Sequence, residues 1–83
     1  NKNGIWDAIE KYSKASDLFP GSGEPFYLMA LAYTKLGNTD FDLILESYEK
    51  SISLELDDQL RAEVIKKYEH AKKRKTKLDS FWK

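Results

Sequence analysis

The chain is predicted to be an all-α domain of about four antiparallel helices. Three observations predict this. Apolar residues recur at helical spacing along most of the length, short turn-forming clusters separate the segments so marked, and no stretch alternates as a strand does. With 83 residues the whole chain, 1–83, is one domain near the lower end of the usual size range. It can bury a core, though not a deep one around an enclosed site.

The stretch from Pro25 to Asn38 organises the others. Phe26, Met29, Ala30 and Tyr33 take the i, i+3, i+4, i+7 positions of a buried helical face. Leu28, Leu31, Ala32 and Leu36 make the other side apolar too, so this helix, expected over 25–36, must be covered on more than one side. Gly37 can close it in a left-handed conformation.

Ahead of it, Ile5, Ala8, Ile9, Tyr12 and Ala15 mark one face of a helix expected over 5–19, ended by Pro20 and Gly21. Ser22 is placed to cap the next helix, and Pro25 is tolerated in a first turn. Beyond Gly37, Asn38, Thr39 and Asp40 form a turn, with Thr39 or Asp40 as cap. A third helix is expected over 40–56, on Phe41, Ile44, Leu45, Tyr48, Ile52 and Leu56. The acidic pair Asp57 and Asp58 suits a new N-terminus, where carboxylates meet the positive end of the helix dipole. The last helix, expected over 58–79, carries Leu60, Val64, Tyr68, Ala71, Leu78 and Trp82 on one stripe, interrupted by Lys75. Short loops make consecutive helices antiparallel neighbours.

Hydrophobic residues make up 41% and charged residues 34%, which suits a soluble helical protein. No apolar run approaches the length of a membrane span. The absence of cysteine excludes disulfides and cysteine-based zinc sites. The chain starts at Asn1 without Met and reads as a piece of a longer protein, with any leader or anchor out of view. Cytoplasm and periplasm or cell envelope both fit, and a cysteine-free chain tilts the expectation to the envelope. Net charge is zero, but residues 72–83 carry +5 and residues 1–71 carry −5. That split says more about partners than the total does.

Catalytic chemistry has few candidates. His70 is the only histidine, and no oriented partner or convergent ligand set is apparent in the sequence. Asp40 with Asp42, and Asp57 with Asp58, lack calcium-loop spacing and read as turn and capping residues. Gly21, Gly23 and Gly37 form no phosphate loop, because no Gly-Lys-Ser/Thr follows. No catalytic residue, metal site, cofactor or small-molecule substrate is therefore expected.

An internal repeat is visible. Tyr12, Lys14 and Leu18 recur as Tyr48, Lys50 and Leu54, 36 residues on. Ala8, Tyr12, Ala15 and Pro20, followed by Phe26, Met29, Ala30, Tyr33 and Gly37, resemble the tetratricopeptide repeat, a helix–turn–helix unit of about 34 residues. In that pattern small residues let helix backbones approach and aromatics fill the remaining gaps. The resemblance covers about residues 5–56. It loosens after Gly37, where the turn is two residues longer, Ile44 and Ser51 stand where small residues are usual, and Leu56 replaces Pro. Bulky Ile44 is expected to spread the second helix pair.

The resemblance implies an α-solenoid fragment of about one and a half repeats, closed by a solvating helix. It also implies a scaffold or adaptor that binds a partner protein or peptide on its helical faces. The implied groove residues are Glu24, Tyr27, Leu31, Thr34 and Lys35. Lys35 is the lone cation among them and Leu28 stands where an Asn would help, so a clamp for a terminal carboxylate is not implied. Phe81 and Trp82 are either a fold-back onto Tyr68 or Leu78, or an exposed anchor for the partner. The alternative is an anionic membrane surface or nucleic acid gripped by Lys72, Lys73, Arg74, Lys75 and Lys77. Self-association, with this basic run meeting the acidic stretch 40–58 of another copy, is a third option.

Overall fold

A computed structural model describes residues 2–37 and 41–82, the side chains of Asp79, Phe81 and Trp82 excepted. The protein is all-α: α1 (Lys2–Leu18), α2 (Glu24–Lys35), α3 (Phe41–Ser53) and α4 (Asp58–Trp82). No helix among the described residues is long and apolar enough to cross a membrane. The expected turn at Asn38, Thr39 and Asp40 lies outside the described residues.

The helix ends follow local chemistry. α1 starts three residues earlier than the periodicity indicated and stops at Leu18, where the Phe19 N–H still reaches the Ala15 carbonyl at 2.9 Å. The N-cap of α2 is Gly23 instead of Ser22; the Ser22 hydroxyl stands 3.4 Å from the Glu24 N–H, too long for a good cap. Gly37 closes α2 with φ +69°, the left-handed value that favours glycine. α3 ends at Ser53, three residues short of expectation. Its last carbonyls are held from outside: Arg61 donates to the Ile52 carbonyl at 2.6 Å and to the Leu54 carbonyl at 2.8 Å. Asp57 caps α4, accepting from the Leu60 N–H at 2.8 Å.

The early end of α3 lets two turns meet. The Gly23 N–H donates to the Glu55 carbonyl at 2.8 Å, and the Glu55 N–H to the Gly21 carbonyl at 2.9 Å. The Ser51 hydroxyl, fully buried, donates to the Gly23 carbonyl at 2.7 Å. The α1–α2 turn and the α3–α4 turn therefore lie side by side. The chain goes down and up twice, and each helix packs on the next.

α2 is the shared wall of two cores. On one side Met29 and Ala32 meet Ile9 of α1, with Ile5, Tyr12, Phe26 and Leu36 around them. On the other, Tyr27 and Ala30 meet Ile44 and Tyr48 of α3 and Val64 and Ala71 of α4. The all-round apolar character of α2 is thereby accounted for: both of its flanks are covered. The body measures 42 × 31 × 16 Å, a thickness that fits two layers of helices at the usual spacing of about 8–10 Å.

Candidate binding groove

A groove of about 930 Å³ runs between α2, α3 and α4. Leu31, Phe41, Ile44, Tyr48 and Ala71 form its apolar floor. Thr34 and Gly37 line it from the α2 side, and Glu63, Lys66, Lys67, Glu69, His70, Lys73 and Arg74 from the α4 side. Helical spacing on α4 turns these positions to one side, while Val64 and Ala71 face the core.

A smaller hollow lies between α1 and α2, lined by Ile5, Ala8, Tyr12, Leu28, Leu31 and Lys35 among others. Its α1 residues, Ile5, Ala8 and Tyr12, stand 36 positions before Phe41, Ile44 and Tyr48 of the main groove. Leu31 lines both. Positions 36 apart on α1 and α3 thus line two neighbouring hollows that share Leu31. Tyr12 and Tyr48 differ in depth. Tyr12 is half-buried against one neighbouring helix, whereas Tyr48 is 4% exposed between two.

The five residues expected to line one groove separate into several places. Leu31 and Thr34 are in it; the Thr34 hydroxyl donates to the Ala30 carbonyl at 2.8 Å. Tyr27 is not on the surface. It is 5% exposed in the larger core, its ring 6.3 Å from that of Tyr48. The correction has a simple cause: in a helix apolar on all sides, periodicity does not fix which face turns outward. Lys35 lines the hollow against α1, and Glu24 sits near the tied turns with Ser22 and Glu55. Phe81 and Trp82 end α4 with side chains outside the described residues.

The basic run is largely spoken for. Lys72 lies over the Tyr68 ring, 5.1 Å from its centroid, and the Arg74 guanidinium over Phe41 at 5.7 Å. Lys75 pairs with Asp42 of α3, which explains a cation on the packing stripe of α4. Lys73 and Lys77 are exposed. His70 is exposed on the groove rim, and among the described residues no three His, Asp or Glu side chains gather as metal ligands would.

Lys67 and Tyr48 shape the groove's electrostatics. Lys67 lies 5.5 Å from the Tyr27 ring centroid and 3.7 Å from the Glu63 carboxylate. Its interaction with the Tyr27 hydroxyl holds its pKa above the usual value. Burial pushes the Tyr48 phenol up, and the Glu49 carboxylate, which accepts from Tyr68 at 2.9 Å, does the same for Tyr68. In all three the folded state favours the protonated form. Their contribution to stability is therefore complete below the ordinary tyrosine and lysine values of 10.0 and 10.5 and is lost as pH rises through the folded ones. Denaturant midpoints should hold towards pH 10 and fall above it. Tyr48→Phe should make that fall shallower, leaving the part due to Tyr68 and Lys67, while an unchanged alkaline limb would show that Tyr48 does not contribute to it.

Of the α4 side, the sequence singles out Lys73 and Arg74 as anion-binding candidates only, because 58–79 reads as a solvating helix. The signal lay in the repeat itself. Adding 36 to Tyr27, Leu31, Thr34 and Lys35 gives Glu63, Lys67, His70 and Ala71, all of which line the groove.

By fold the described residues form a small all-α domain of four helices, with a groove of mixed character between α2, α3 and α4. Compared with protein families, curated proteins and solved structures, the chain has no match.

Proposed function

We propose that this chain is a non-catalytic interaction module, a tetratricopeptide-like fragment that takes a segment of a partner protein into the groove between α2, α3 and α4. The observation that carries this reading is the apolar floor beside the charged α4 wall, with Leu31 and Phe41 partly exposed above buried Ile44, Tyr48 and Ala71. An apolar floor with a polar rim is the anatomy of a recognition surface. The recurrence of that floor 36 residues earlier, as Ile5, Ala8 and Tyr12, supports the helical-repeat reading. The anionic-surface alternative is weaker, because Lys72, Arg74 and Lys75 already engage Tyr68, Phe41 and Asp42.

The test is selection from a displayed peptide library, followed by titration of the selected peptides. Leu31→Ala is expected to weaken binding about tenfold, the scale of a removed anchor, with the circular dichroism spectrum retained. Peptides indifferent to Leu31→Ala would place the surface elsewhere. Tight DNA, RNA or acidic-vesicle binding with a steep salt slope would favour the alternative instead.

A further inference from the structure

We infer that the occupant of this groove is an acidic amphipathic segment of a partner protein, its apolar side on the floor and its carboxylates along α4. The inference rests on the groove being the binding surface and adds the chemistry of what enters it.

The two walls differ in charge. The α2 wall offers Leu31, Thr34 and Gly37, none of them charged. The α4 wall offers Lys66, Lys67, Lys73 and Arg74 against Glu63 and Glu69. Glu63 is occupied with Lys67, and Arg74 is held over the Phe41 ring at the edge of the floor. Lys66 and Lys73 are exposed and make no ion pair among the described residues. Seven residues separate them on one helix, about 10.5 Å along its axis at 1.5 Å per residue. They lie on the same side of α4, two turns apart.

An occupant that satisfies both walls needs apolar side chains facing the partly exposed Leu31 and Phe41. It also needs carboxylates on the α4 side only, about two helical turns apart. A basic segment would meet like charges along that wall, and a neutral one would leave the two lysines unanswered. Residues 1–71 carry a net −5, so an acidic partner is repelled by most of the chain and guided to the cationic end of α4.

Three labelled helical peptides test this. All carry the same Leu/Phe stripe, and they have Glu, Gln or Lys at i and i+7 on its flank. Binding is followed by fluorescence anisotropy and by amide shift mapping on the intact chain. The Glu peptide is expected to bind with shifts at Leu31, Ile44 and Tyr48. The Gln peptide should bind about three- to tenfold more weakly, and the Lys peptide more weakly still. Combined Lys66→Glu and Lys73→Glu, both at exposed positions, should reverse the Glu-over-Lys order while leaving the dichroism spectrum unchanged. Equal affinity of the three peptides, with shifts in the groove, would overturn the acidic partner and keep the groove. Shifts confined to another face, or no binding by any peptide, would overturn both. Preference for acidic vesicles or RNA over the Glu peptide would also overturn the inference.

Discussion

Tyr48→Ala is expected to lower the unfolding free energy by about 3–5 kcal/mol, and Tyr12→Ala by roughly 1–2 kcal/mol. The two tyrosines hold the same place in the sequence repeat, 36 residues apart, so a comparison of sequences alone would assign them similar weight. Packing separates them. Tyr48 has α2 on one side and α4 on the other, with its ring against Tyr27 and Val64 within the same cluster. Truncation leaves a cavity that neither helix can fill without breaking its own contacts. Tyr12 has only α2 beside it, so solvent takes up most of the lost volume. A domain of this size has a total stability of about 5–15 kcal/mol, and Tyr48→Ala should use up a large share of it. Urea unfolding of both variants reads the difference directly. Equal losses would mean that α4 contributes little to the core around Tyr48.

Gly23→Ala is the second large effect, with an expected loss of about 1–3 kcal/mol, the usual range for overpacking. The reason is room and not backbone angle, since Gly23 has φ −83° and ψ −15°, open to any residue. A Cβ there would run into the Ser51 carbonyl oxygen and stand 3.0 Å from Leu56 Cγ. The obstacle is backbone that is itself bonded to the turn, so it cannot swing away as a side-chain tip would. Relief would require parting the two turns and giving up the Gly23–Glu55 and Ser51–Gly23 hydrogen bonds. Gly21→Ala, two residues earlier, meets nothing within 4 Å and serves as the control. It should stay within about 0.5 kcal/mol of the parent. If Gly23→Ala matched it, the contact between the turns would not be as tight as described.

The helices were legible because each carries its own apolar period and a recognisable stop. Pro20 with Gly21, Gly37, and Asp57 all act through local chemistry that a sequence displays directly. What the sequence left open was whatever depends on one element meeting another. Nothing local marks Gly23, since its closeness to Ser51 spans 28 positions. Arg61 looks like an ordinary helix-surface cation until its guanidinium is seen on the carbonyls of Ile52 and Leu54. Lys75 broke an apolar stripe for no local reason, and the reason was Asp42 on the facing helix. The sequence does not fix which way Tyr27 faces, because α2 is apolar in every direction and its rotational phase comes from its neighbours. The groove was half legible. Leu31 and Thr34 came from the repeat pattern, but the α4 wall required treating the last helix as a counterpart of α2.

With Met29 and Ala32 in one cluster and Tyr27 and Ala30 in the other, α2 ties the fate of each cluster to that of its neighbour. Each of the two clusters takes buried residues from this single twelve-residue helix. Loosening at α1 bares the back of the helix whose front supports Tyr48 and the groove floor.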